Sequence, residues 1–82
     1  MRSIWEVMRV KVVVNGRTYR MSKTEYQGLK KMASEQVPFG IYAVEKSDYA
    51  ELRYDKCSSI SQLKAMIRLF KGQGFKVCAN GR

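Results

Sequence analysis

Two hydrophobic periods alternate along this chain, and each predicts a different kind of element. The helical period is clearest after Ser59, where Ile60, Leu63, Met66, Ile67 and Phe70 recur at steps of three and four and form one apolar face. Ser59 and Gln62 have the S-x-x-Q spacing of a capping box, in which each side chain satisfies a free backbone N–H of the first turn. A left-handed Gly74 past the end lets Phe75 fold back on Phe70, and Gly72 is the other candidate stop. The period then changes to two, with Phe75, Val77 and Ala79 on one side and Lys76, Cys78 and Asn80 on the other. Residues Ala79 to Arg82 read as a frayed end.

A second helix is predicted from Ser22 to Gln36. Ser22 and Glu25 form an S-x-x-E capping box, bracketed by Met21 and Tyr26 as a hydrophobic staple. Tyr26, Leu29, Met32 and Ala33 make its buried stripe, with Lys23, Lys30 and Lys31 outward, and Val37-Pro38 ends it.

The remaining segments alternate as strands. Asn15-Gly16 is the favoured pair for a two-residue type I′ turn between RVKVVV and RTYRM. That loop sets Val14 opposite Arg17, Val12 opposite Tyr19 and Val10 opposite Met21, and it places Lys11 directly across from Arg20. Like charges so placed are mildly destabilising, so a chain that keeps them screens them with water or uses them. A second hairpin runs from Phe39 to Asp55 and turns at Ser47-Asp48 or over four residues. Strict alternation puts Phe39, Ile41, Ala43, Ala50, Leu52 and Tyr54 on one side. Tyr42, Val44, Tyr49, Glu51 and Arg53 then face the other.

The order β-β-α-β-β-α-β predicts one α+β domain over residues 1–82: two layers, a mainly antiparallel sheet, and both helices packed on one face. A partly closed barrel is the alternative. Residues 1–8 read as a loosely held extension, with Met8 as a second possible start. In the two-layer arrangement the other sheet face is open and carries Arg9, Lys11, Arg20, Tyr42, Tyr49, Arg53 and Lys76. The helix after Ser59 adds a separate basic row of Lys64, Arg68 and Lys71.

Charge gives these positions weight. Sixteen basic residues against seven acidic leave a formal charge of +9, and no acid follows Asp55. Such an excess favours an anionic partner, nucleic acid first and an acidic protein surface second. Phosphates meet Lys and Arg, and bases stack on tyrosines such as Tyr42 and Tyr49. The helix row suits a duplex backbone.

Enzyme chemistry finds no footing in the sequence. With no histidine, the usual zinc sets and a histidine acid–base pair are excluded, and Cys57 and Cys78 lack a CxxC spacing and read as free thiols. Gly72-x-Gly74 follows a helix, whereas phosphate-binding glycine loops precede one. The expectation is a small, basic, non-enzymatic binding module without metal or cofactor, contacting nucleic acid. The alternative is a protein-interaction module using the same face for a protein partner or a homodimer, such as a small regulator or inhibitor of the kind phages and mobile elements encode. No apolar run approaches the roughly 20 residues of a membrane span, and the first residues lack a signal-peptide core. A cytoplasmic location is expected.

Overall fold

The computed structural model describes residues 9–81, so the expectations for residues 1–8 lie outside the described residues. Five strands and two helices follow the predicted order. They are β1 (Arg9–Val14), β2 (Arg17–Ser22), α1 (Lys23–Gln36), β3 (Gly40–Lys46), β4 (Tyr49–Lys56), α2 (Ile60–Gly72) and β5 (Lys76–Asn80). The sheet order is β2-β1-β4-β3-β5, with β1 and β4 parallel and every other neighbouring pair antiparallel. The α+β class and the mainly antiparallel sheet are those the sequence predicts.

Local signals account for the boundaries. Asn15 (φ 51°) and Gly16 (φ 80°) take the two left-handed positions of the β1–β2 turn, and the register sets Lys11 opposite Arg20 as predicted. The Ser22 hydroxyl accepts from the Glu25 N–H and caps α1. The Ser59 hydroxyl accepts from the Gln62 N–H and caps α2, while the Gln62 side chain turns back to the Ser58 N–H and hydroxyl. Gly74 (φ 91°) stops α2, and Phe75 meets Phe70 edge-on with ring centroids 6.2 Å apart.

The two helices lie on opposite faces, which corrects the expectation that they share one. β2 and β3 run in the same direction, as do β4 and β5, but the two pairs point opposite ways. α1 joins the first pair and α2 the second, and both connections step the same way across the sheet. Crossovers of one hand, which is right-handed in nearly all proteins, must then lie on opposite faces. The core divides accordingly. Val10, Val12, Met21, Ala43, Ala50 and Leu52 pack with Tyr26 and Ala33 of α1. Ile41 and Val44 pack with Leu63 of α2, joined by Met66, Ile67, Phe70, Phe75 and Val77. The single apolar face imagined from the sequence is thus two half-cores in three layers.

A bulge explains why alternation fails in β3. Between the pairs Ala43–Leu52 and Ile41–Asp55, β3 advances two residues and β4 three, with Tyr54 at φ 52°. Against β5 the irregularity reverses, since the same two residues of β3 span one step from Cys78 to Ala79. Ile41 therefore joins the α2 side, and Tyr42 packs on the α1 side. Met32 and Ile60, both assigned to buried stripes by spacing, are 56% and 48% exposed because each sits at the margin of its helix's contact.

Nor is the chain frayed at Ala79 and Asn80. Both belong to β5, and the Asn80 side-chain amide donates to the carbonyls of Ser34 and Val37 at 2.9 Å each, closing the end of α1. Cys57 and Cys78 are both free thiols, and they belong to different half-cores. Asn80→Ala removes two bonds that hold the end of α1 and is expected to cost about 1–2 kcal/mol, read as a lower urea midpoint. An unchanged midpoint would show that solvent satisfies those carbonyls equally well.

Candidate nucleic-acid interface

Unequal coverage by the helices creates the site. α1 spans β1, β4 and β3 and reaches β2, so its face of the sheet is covered. α2 lies mainly over β3 and β5 and reaches β4 at Arg53, which among the described residues leaves that face open across β1, β2 and the near side of β4. Strand alternation aims Arg9, Lys11 and Val13 from β1, Thr18 and Arg20 from β2, and Tyr49, Glu51 and Arg53 from β4 at this open half. Lys11 stands between Arg20 on one side and Tyr49 on the other, and Val13 between Thr18 and Glu51. Arg9, Lys11 and Arg20 are exposed, and no ion pair reaches them among the described residues.

Arg53 differs from these three. Its guanidinium holds Asp55 at 2.7 Å and Glu51 at 2.6 Å while lying over the Phe70 ring, 5.1 Å from the centroid. The hydrogen bond to Asp55, with that to Glu51, raises the guanidinium's pKa against the opposing effect of burial. Its charge is spent within the sheet, where it ties β4 to α2.

Tyr49 forms the inner wall of the open half. Its ring lies 6.2 Å from Phe75 at an interplanar angle of 46°, and its hydroxyl donates to Glu51 at 3.3 Å. Burial and the neighbouring Glu51 both raise its phenol pKa. Lys46 covers the Phe75 ring at 5.1 Å and donates to the Gln73 carbonyl at 3.0 Å, which fixes the turn beyond α2.

The other predicted positions are elsewhere. Tyr42 is half-buried against the α1 half-core, so it leaves the proposed stacking pair. Lys76 lies opposite Glu45, also on the α1 side. Lys64, Arg68 and Lys71 form an exposed row along α2, beside a shallow groove lined with them by Ile67. Cys57, which follows β4, touches Met66, and Arg53 of β4 touches Phe70. At 100° per residue, the flank beyond Ile67 that bears the basic row therefore turns away from β4 and overhangs β5. The ten predicted residues thus divide into five on the open half, three on the far flank of α2, and two on the covered face.

Spacing arguments passed over one cluster. Glu45 accepts from the Tyr26 hydroxyl at 2.6 Å and from Lys30 at 2.8 Å, so Lys30 faces the sheet and not solvent. The i, i+4 spacing of Tyr26 and Lys30 was the available signal, since it puts both on one face of α1. Beside them is a small cavity of about 70 Å³ lined by Val10, Lys23, Tyr26, Gln27, Glu45, Ser47, Tyr49 and Ala50. Burial raises the Tyr26 phenol far above its ordinary value, and the bond to Glu45 adds to this. Burial is the largest single effect on Glu45 and on Lys30 and opposes their charge, but their mutual hydrogen bond, the Tyr26 bond to Glu45 and the neighbouring charges together outweigh it, lowering the carboxyl and raising the ammonium. This cluster fastens α1 to β3.

Comparison with protein-family models, curated proteins and solved structures gives no match to this chain. The geometry defines a basic three-layer α+β domain with one half-open sheet face.

Two outcomes follow from these electrostatics. Lys11→Glu turns a like-charge pair opposite Arg20 into an attractive one and is expected to stabilise the fold by about 0.5 kcal/mol in urea titrations. A loss of stability would show that the lysine is held by something other than tolerance. Glu45 has a depressed folded-state value, so its stabilising contribution is present above the unfolded value of about 4.3 and fades as pH falls through the lower folded one. The stability gap between the native protein and Glu45→Gln should therefore narrow from pH 7 to pH 3, and an unchanged gap would contradict the assignment.

Proposed function

We propose that this protein is a non-enzymatic, cytoplasmic nucleic-acid-binding module whose primary contact surface is the open half of the sheet. The observation that carries the reading is the β1–β2 hairpin. From Arg9 to Thr24 the chain bears five basic residues (Arg9, Lys11, Arg17, Arg20 and Lys23) and no acid. Three of them, Arg9, Lys11 and Arg20, stand together on an exposed sheet surface without a carboxylate partner among the described residues. Such a surface contacts phosphates, and phosphate contacts carry affinity without sequence information. Among the described residues Tyr49 is the aromatic ring beside it, already packed against Phe75, so base stacking is secondary and binding is sequence-tolerant.

One observation favours a second reading. Among the described residues β2 is a sheet edge, on which Tyr19 is 45% exposed with Arg17 and Arg20 nearby, a surface that also suits an acidic protein partner. A homodimer through the open half would set Lys11 and Arg20 against their own copies, and like charge opposes it.

Fluorescence anisotropy with labelled single-stranded RNA, single-stranded DNA and duplex tests the first reading. Three phosphate contacts predict an affinity loss of about forty-fold on duplex and about twenty-fold on a single strand between about 50 and 200 mM salt. Lys11→Glu and Arg20→Glu should each weaken binding about tenfold, at every sequence tried. Absence of binding to all three probes at the lower salt would reject this reading in favour of a protein partner.

A further inference from the structure

We infer that the α2 row is a second, independent phosphate-binding site that takes the backbone of a duplex, so that one protein molecule bridges two nucleic-acid segments. This rests on the nucleic-acid reading of the hairpin and extends it. Lys64, Arg68 and Lys71 are all exposed, and none has an ion-pair partner among the described residues. Their rise along α2 totals about 10 Å, which matches the axial length of about three nucleotide steps of a duplex strand. Ile67, the one apolar side chain in the adjoining groove, is partly buried in the α2 half-core, and no aromatic ring lines that groove. The surface therefore offers a straight line of cations with no platform for an unstacked base. A rigid phosphate backbone fits it, whereas a single strand depends on stacking.

Position makes the two sites independent. β2 and β5 are the outermost strands of the sheet, four inter-strand spacings or roughly 19 Å apart. Arg9, Lys11 and Arg20 face outward from the β1–β2 side, while the row on α2 overhangs β5 and points away from them. Between the two stand Arg53, neutralised by Glu51 and Asp55, and the body of α2 itself. A straight segment lying on one site does not reach the other, and a second segment has room to bind.

The test is bridging of two short duplexes, one carrying a donor fluorophore and the other an acceptor. With the native protein, energy transfer should rise as protein is added and fall again once each duplex has its own protein. The Lys64→Glu/Arg68→Glu/Lys71→Glu variant should bind a single duplex through the hairpin and lose at least about nine-tenths of the transfer. The milder Lys64→Gln/Arg68→Gln/Lys71→Gln variant, whose fold is checked by circular dichroism, should lose transfer in the same direction. Transfer that persists in either variant would overturn the inference, since association of protein copies would then be doing the bridging. Binding of native protein to one duplex without transfer would also overturn it, while leaving the hairpin reading intact. No binding to either duplex or single strand would remove both.

Discussion

The common hand of two strand–helix–strand connections governs the rest of this structure. β2 leads through α1 to β3, and β4 leads through α2 to β5, in opposite strand directions but with the same sideways step. Chirality of the chain then sends the helices to opposite faces. The first connection crosses two intervening strands and the second crosses only one, so α1 covers its face broadly and α2 covers half of its own. Among the described residues, an exposed sheet surface results from the arithmetic of the connections.

Within that frame the charges divide into those used by the fold and those left over. Lys30 and Arg53 are drawn into bonds with three carboxylates, and they fasten α1 to β3 and β4 to α2. Such partly exposed pairs are modest individually, but each is reinforced by an aromatic contact, at Tyr26 and at Phe70. With those acids committed, two groups of uncommitted cations stand together, one on the hairpin and one on the outer flank of α2. Net charge alone says only that an anion is favoured. The distribution of committed and uncommitted cations says where.

Much of the fold was legible because its signals are local. The Asn15-Gly16 turn, the caps at Ser22 and Ser59 and the Gly74 stop each act within four residues, and each forms as its residue types require. The side of the sheet taken by each helix was not legible, because it depends on strand order, and strand order depends on which strands meet across the whole chain. Tyr42 shows the cost most plainly. Alternation put it on the open face, and the irregular register between Ile41 and Ala43 turned it to the other. Lys76 was misplaced for the related reason that it stands opposite Glu45, on the α1 side of the sheet and not on the side of Lys11. The hairpin trio of Arg9, Lys11 and Arg20 was legible because a two-residue turn fixes its register from sequence alone. The bonding of Glu45 was not legible, since a carboxylate in a hairpin is ordinarily solvated and its partners lie 15 and 19 residues away.

Among the described residues the sheet has two free edges, β2 and β5, and basic side chains guard both. At one, Arg17 and Arg20 project from β2; at the other, the row on α2 overhangs β5, which itself begins with Lys76. Like charges at exposed edges keep two copies from extending one sheet into the next. A polyanion that binds these cations also cancels the repulsion between copies. Colloidal stability should therefore be lowest near charge equivalence with a polyanion and recover on either side of it. The composition of the surrounding solution, and not the sequence alone, then decides whether the edges remain single.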